Sequence, residues 1–341
     1  MAHVIIDLIS TKIDEQEKER LLHPQTSGVI LFGRNCESTE QVRQLTDEVR
    51  GINPNLLIYI DQEGGRVQRI RTEIDSFAPM AALGLRYQQA PEQALHEARL
   101  QGWLMASHIL SAGVDVSFAP VLDRDYQKSL VIGDRAFAKS TEGIIKLASA
   151  FMEGMHEAGM ATVGKHFPGH GFVVPDSHLE LPVDPRPYSQ IARDDLCIFE
   201  QLFDLTDGLM PAHIVFEQVD QNPTCFSSHW LNDILRESLG FTGAVFSDDL
   251  SMQGAAIMGD MSERVQKALL AGCTQVLVCN SAEVQQAALD AASAIAAELP
   301  LANMQGFKAA HYPTWEEVQA MPMFDEAKQV QQGLIELWEQ Q

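Results

Sequence analysis

Eight short apolar, β-branched runs recur along the chain with stretches of helical spacing between them, and this alternation restricts the fold more than any other feature. The runs are 3–8 (HVIIDL), 28–32 (GVILF), 56–60 (LLIYI), 114–119 (VDVSFA), 161–165 (ATVGK), 208–212 (GLMPA), 243–247 (GAVFS) and 274–279 (TQVLVC). Between them, Ser38–Arg50, Pro91–Ser111, Glu142–Gly159, Tyr188–Leu205, His229–Leu239 and Met261–Ala271 carry apolar residues at helical spacing. Apolar strands alternating with amphipathic helices call for a parallel sheet covered by helices. Eight such units predict a closed (β/α)8 TIM-type barrel in a single domain. An open doubly wound sheet is the alternative, but it wants a GxGxxG turn after the first strand. No glycine lies between Asp7 and the second run. Pro300 ends an Ala-rich helix and sets the barrel at 1–300. Residues 301–341, with a helix predicted over Thr314–Trp338, form a C-terminal extension packed outside it.

Composition excludes several classes. Of 341 residues, 45% are hydrophobic and 21% charged, an ordinary globular balance in a chain long enough for such a barrel. The formal charge of −23 repels phosphate backbones and anionic bilayers, so neither nucleic acid nor a membrane is expected as a partner. No apolar run reaches the roughly 18 residues that a membrane span needs. The start, MAHVIIDLIS, lacks a basic segment and is interrupted by Asp7, so it reads as a strand and not as a secretion signal. Cys36, Cys197, Cys225, Cys273 and Cys279 are odd in number and share no CxxC spacing. Buried, reduced thiols in a cytoplasmic protein are expected.

In a barrel, the residues just past the C-terminal end of each strand surround the site. Here they are Asp7, Asp61, Asp123 with Arg135 farther along its loop, Lys165 and His166, His213, Asp248 and Asp249, and Asn280. Solubility alone requires no such ring. Groups of both signs converging on one mouth suit a small polar ligand held by many hydrogen bonds, as a sugar is. Asp7 is expected to order loops or neighbouring cations. Asp61 opens DQEGGRVQR, where Gly64 and Gly65 suit a tight turn; it either meets the ligand or caps that turn. Arg69 either reaches the ligand or pairs with a loop carboxylate, and Arg135, in VIGDRAF, does the same or pairs with Asp134.

The segment KHFPGHGFVVPDSH (165–178) is richer in chemistry. Lys165 and His166 are too polar to be buried without partners. Pro168, Gly169 and Gly171 exclude a helix, leaving an irregular loop, expected to move, that carries His170, Asp176 and His178. Asp176 and His178 are close enough in sequence for a carboxylate to orient an imidazole and raise its basicity, an acid/base arrangement. His166, His170, His178 and His213 could instead gather a zinc ion. The first strand offers no HxH pair and HExxH is absent, so no metal or other cofactor is expected. GAVFSDDLSM (243–252) ends a strand on two carboxylates. Neighbours on a strand point to opposite sides, so one aims into the mouth, where it can attack an anomeric carbon, and the other bonds to backbone. Spacing does not choose between Asp248 and Asp249.

Together KHFPGHGFVVPDSH, DQEGGRVQR and FSDDLSM resemble the N-acetylglucosaminidase branch of glycoside hydrolase family 3, the β-N-acetylhexosaminidases of bacterial cell-wall recycling. The resemblance runs from about residue 2 to 300 in the same order, and the last forty residues match poorly. It implies that Asp248 is the nucleophile and His178 the acid/base, assisted by Asp176. It also implies that Asp61, Arg69, Arg135, Lys165 and His166 contact the sugar, with His213 a weaker correspondence. The implied activity is retaining hydrolysis of terminal β-linked GlcNAc in the cytoplasm, on GlcNAc-1,6-anhydroMurNAc and its peptide-bearing forms. A monomer is expected, although the sequence does not settle the oligomeric state. An imidazole then replaces the second carboxylate of the usual retaining pair. Because a histidine that has donated its proton is neutral, phosphate could attack in place of water, and a β-GlcNAc phosphorylase is the alternative enzyme. A non-catalytic sugar-binding barrel is the alternative outside enzymes.

Overall fold

In the computed structural model, which describes residues 2–74, 76–129, 131–174, 181–299, 304 and 306–341, the eight runs become eight parallel strands. They are β1 (Val4–Asp7), β2 (Thr26–Leu31), β3 (Leu57–Ile60), β4 (Val116–Ser117), β5 (Val163–Phe167), β6 (Gly208–Pro211), β7 (Ala244–Asp249) and β8 (Gln275–Val278). Each pairs in parallel with its neighbours, from β4 through β3, β2 and β1 to β8, β7, β6 and β5. The residues after β4 close the ring: Val121 bridges Lys165, and Val163 N–H donates to the Ala119 carbonyl at 2.9 Å. This is a (β/α)8 barrel.

β4 is shorter than the run 114–119 because side chains take over its ends. The Asp115 carboxylate accepts from Ile58 N–H at 2.8 Å. The Ser117 hydroxyl accepts from Gln62 N–H at 3.0 Å and donates to its carbonyl at 2.8 Å.

Strand alternation sorts the core into two layers. Ile5, Ile30, Tyr59, Phe118, Val163, Met210, Phe246 and Leu277, one from each strand or its end, form a cluster inside the ring. Val4, Ile6, Val29, Leu31, Ile58, Ile60, Leu209 and Val245 belong to the larger cluster shared with the surrounding helices.

The helices follow local signals. Ser38 caps Thr39–Ile52 by accepting from Gln41 N–H at 3.0 Å. Pro91 opens Pro91–Ser111, where its missing N–H costs nothing. That helix meets Thr141–Glu157 backbone to backbone: a Cβ on Gly102 would overlap the Phe151 carbonyl, and one on Gly154 the Arg99 carbonyl. Gly154→Ala is therefore expected to destabilise by about 1–3 kcal/mol, the overpacking cost outweighing the roughly 1 kcal/mol alanine gains in a helix. Urea unfolding checks this, and a stabilised variant would contradict it.

Helices Glu15–Leu21 and Met80–Gln89 were not legible as periodic segments, although the first carries a reciprocal cap between Asp14 and Glu17. The single helix expected over Thr314–Trp338 is two, Trp315–Gln319 and Phe324–Glu339, because Pro322 between them cannot supply a helical N–H. The second packs outside the barrel on Pro91–Ser111 and Met80–Gln89. Phe307 departs from the expectation of a wholly external extension. It is buried within the inner cluster, 5.4 Å edge-on from Phe246. Among the described residues no helix is long and apolar enough to cross a membrane.

Candidate active site

Inward-facing positions continue past the apolar layer by the same alternation. Above Tyr59 and Val163 come Asp61 and Lys165, above Ile30 and Leu277 come Phe32 and Cys279, and two residues past Phe246, across a shift in register, comes Asp248. All five border a cavity of about 640 Å³, as do Arg69, Arg135 and His166. The cavity rests on the apolar ends of Ile30, Phe118, Met210 and Leu277. Its size and its polar wall over an apolar floor suit a small ligand.

One wall is an alternating network of charge. Lys165 Nζ lies 2.9 Å from Asp61 Oδ1 and 2.6 Å from Glu63 Oε1. Arg135 forks onto Glu63 through Nε at 2.7 Å and a terminal nitrogen at 2.8 Å. A terminal nitrogen of Arg69 approaches Asp61 Oδ2 at 3.5 Å. Burial alone would raise the Glu63 pKa, but Arg135 and Lys165 together hold it well below the usual carboxylate range. Burial likewise works against the Lys165 and Arg135 cations, and the facing carboxylates overcome it in both. Glu63 escaped the reading of the sequence, although it lies two residues past Asp61. Asp134 is not the partner of Arg135; it pairs with Arg66 at 3.2 Å.

His166 is oriented from behind. Its Nδ1 lies 2.7 Å from Asp123 Oδ2, and the other Asp123 oxygen accepts from His170 N–H at 2.6 Å. His170 packs edge-on to His166 at 5.7 Å, and burial lowers its pKa to about 4. Burial would raise the Asp123 pKa, yet the facing histidines keep it below its ordinary 3.8. Asp123 therefore adds stability that is full above that value and declines as pH falls toward its lowered pKa. Asp123→Asn is thus expected to reduce the loss of unfolding free energy between neutral pH and about pH 3. Urea titrations at the two pH values check this; an unchanged difference would contradict it.

The carboxylate pair ending β7 follows a break in the strand's alternation. Ala244 and Phe246 face inward and Val245 outward, but the register with β8 shifts between Phe246 and Asp249, and both Asp248 and Asp249 border the cavity. Asp249 is engaged by its surroundings: it accepts from Ser251 N–H at 2.9 Å, Ser251 Oγ at 2.6 Å and Cys279 N–H at 3.2 Å. Burial raises the Asp249 pKa, its Ser251 bonds oppose that, and the Asp248 charge adds to it. Asp249 N–H donates to Asp248 Oδ1 at 2.8 Å. His213 is fully buried, with Nε2 3.2 Å from the Asp249 carbonyl and its ring stacked on Phe226. It is not among the described residues that border the cavity. Asp7 orders neighbours, as expected: it pairs with Arg34 and accepts from Asn280 N–H at 3.0 Å. Asp176 and His178 lie outside the described residues.

The chain has counterparts among known proteins. Residues 3–310 match the family described as the glycosyl hydrolase family 3 N terminal domain. The chain is 49% identical over 286 residues to the β-hexosaminidase of Nitrosospira multiformis, a match covering 83% of this chain and 82% of that one.

The chain belongs to glycosyl hydrolase family 3.

This family 3 enzyme is also similar to the solved structure of NagZ from Neisseria gonorrhoeae, with a TM-score of 0.87 and 35% identity over 98% of this chain and 97% of that one. The same gonococcal protein in complex with N-trifluoroacetyl-D-glucosamine gives a TM-score of 0.88 at 36% identity, covering 98% of each chain. The family 3 enzyme is thereby placed in the β-N-acetylhexosaminidase branch. Among its described residues, no cluster of three or more His, Cys, Asp or Glu side chains could hold a metal ion.

Proposed function

We propose that the enzyme is a retaining exo-β-N-acetylglucosaminidase that removes terminal β-linked GlcNAc through a covalent glycosyl-enzyme on Asp248. The observation that carries this reading is an aspartate at the end of β7 that borders a polar cavity in a family 3 chain, beside an Asp249 whose carboxylate Ser251 and Cys279 hold. An Asp248 oxygen attacks the anomeric carbon as the bond to the leaving oxygen breaks, and His178 gives that oxygen its proton. Water then attacks the same carbon and breaks the ester to Asp248, while His178 takes the proton back; Asp176 orients the imidazole. The acid/base is reprotonated and the anomeric configuration is retained.

Asp61, Arg69, Arg135, Lys165 and His166 serve the sugar. Their side chains are fixed by one another and by Glu63 and Asp123, so donors and acceptors are ordered before a ligand arrives. His213, by bonding the Asp249 carbonyl, steadies the strand end instead of touching the sugar. Residues 1–300 carry the chemistry, and 301–341 support the barrel. The substrate we infer is GlcNAc-1,6-anhydroMurNAc and its peptide-bearing forms, in the cytoplasm.

The test is leaving-group dependence. His178→Ala is expected to lower kcat/KM on an alkyl β-GlcNAc glycoside by about 100-fold or more, the scale of general acid catalysis. On a dinitrophenyl glycoside, whose departure needs no proton, the loss is expected to be much smaller. Equal losses on the two would remove His178 from the acid role.

A further inference from the structure

The loop after β5 leaves the barrel at Pro168 and returns through a short strand, Val183–Asp184, paired with Val215–Phe216. Its two described arms meet on a group of charges outside the sugar cavity. On the return arm, Asp184 holds Arg186, with Nε 3.0 Å from each carboxylate oxygen and a terminal nitrogen 2.7 Å from Oδ2. The other terminal nitrogen donates to Asp195 Oδ2 at 2.7 Å and to the Tyr126 hydroxyl at 3.0 Å. That hydroxyl donates to the same Asp195 oxygen at 2.9 Å.

On the outgoing arm, the Phe172 ring lies 4.0 Å from the Arg186 guanidinium carbon and edge-on to Tyr126 at 5.4 Å. Lys128 Nζ approaches the same ring at 4.1 Å. Gly169, at φ 141°, passes so close to Asp195 that a Cβ there would come within 2.8 Å of the Asp195 Cβ. Asp195 itself projects from a π turn, Ala192–Leu196, inside the helical run that starts at Tyr188. Such turns are rare and gather at functional places.

Stability does not account for this group. Asp184, Arg186 and Asp195 are 1%, 4% and 1% exposed, and removing three charges from water is costly even when they pair. Asp195 Oδ1 is buried with no hydrogen-bond partner among the described residues. Burial pushes the Asp195 pKa up to about 6, outweighing the pull of Arg186. The group does accomplish one thing: it ties residues 169–172 to residues 184–186, on either side of the segment that carries Asp176 and His178.

We propose that Arg186, seated between Asp184 and Asp195 and against the Phe172 ring, is a positioning residue that fixes both ends of the segment bearing the acid/base. This rests on the reading of His178 as that acid/base. A short segment tied at two fixed points keeps its side chains at high effective concentration near the bond they protonate, and freeing one end dilutes them.

Arg186→Gln and Phe172→Leu test this, each assayed on an alkyl and a dinitrophenyl β-GlcNAc glycoside, with hydrogen exchange measured over 168–174 and 181–187. Arg186→Gln is expected to lower kcat/KM on the alkyl glycoside by about 10- to 100-fold and on the dinitrophenyl glycoside by less than about threefold. Azide, a nucleophile that needs no general base, is expected to raise the variant's turnover of the dinitrophenyl glycoside. Phe172→Leu, which keeps every ion pair, is expected to show the same pattern at smaller size. Exchange is expected to rise in both arms and stay level in β7.

Equal losses on the two substrates, or unchanged exchange in the arms, would overturn the proposal. His178→Ala assayed alongside separates the two readings. If it shows the leaving-group dependence and Arg186→Gln does not, the clasp is wrong and the acid/base stands. If His178→Ala lacks it, the acid/base reading fails and the exchange data alone decide the clasp.

Discussion

Asp248→Ala is expected to lower kcat on an aryl β-GlcNAc glycoside by at least about 1,000-fold while the chain stays folded. Losing a group that forms a covalent intermediate removes the reaction path and not merely one contact, and losses of this order accompany deletion of such groups. Asp249→Ala is the instructive comparison. Its carboxylate also borders the cavity but is held by Ser251 and Cys279. Its removal is expected to destabilise the turn after the strand and to lower activity far less. Retention of more than a few per cent of kcat by Asp248→Ala would break the assignment.

The second large effect concerns a residue that touches other residues' charges. Glu63→Ala is expected to destabilise the fold by about 3–5 kcal/mol, the cost of leaving a buried ion unpaired. Arg135 loses both arms of its fork, and among the described residues Lys165 keeps only Asp61 as a carboxylate partner. Because those cations border the cavity, KM is expected to rise with the loss of stability. Glu63→Gln keeps the shape without the charge and is expected to fall between wild type and alanine. Urea unfolding of the three proteins is the check, and a change below about 1 kcal/mol for Glu63→Ala would contradict the network's role.

The barrel was legible because its strands are buried on both faces and so write themselves as apolar runs, while the helices between them keep one wet face. The pairing of Asp248 with Asp249 shows where that legibility stopped. Alternation would turn one of two adjacent carboxylates away, but the register of β7 shifts after Phe246 and both reach the cavity. What separates them is contact that no spacing reveals: Ser251 and Cys279 hold the Asp249 carboxylate. Arg135 was readable as an ion-pair partner but not with the right carboxylate, since Glu63 is distant in sequence and Asp134 adjacent. Glu63 itself carried a usable signal, two residues past Asp61 and just before the glycine turn. Phe307 carried none: an aromatic between Gly306 and Lys308, outside every apolar run, gives no hint that it enters the barrel interior beside Phe246.

The measurement closest to the central claim is trapping with a ring-fluorinated GlcNAc analogue that keeps the acetamido group, followed by mass-spectrometric mapping of the labelled peptide. A stable adduct on the peptide spanning 243–252 is expected, with fragmentation placing the sugar on Asp248. A label on Asp249, or inactivation with no covalent adduct, would contradict the account.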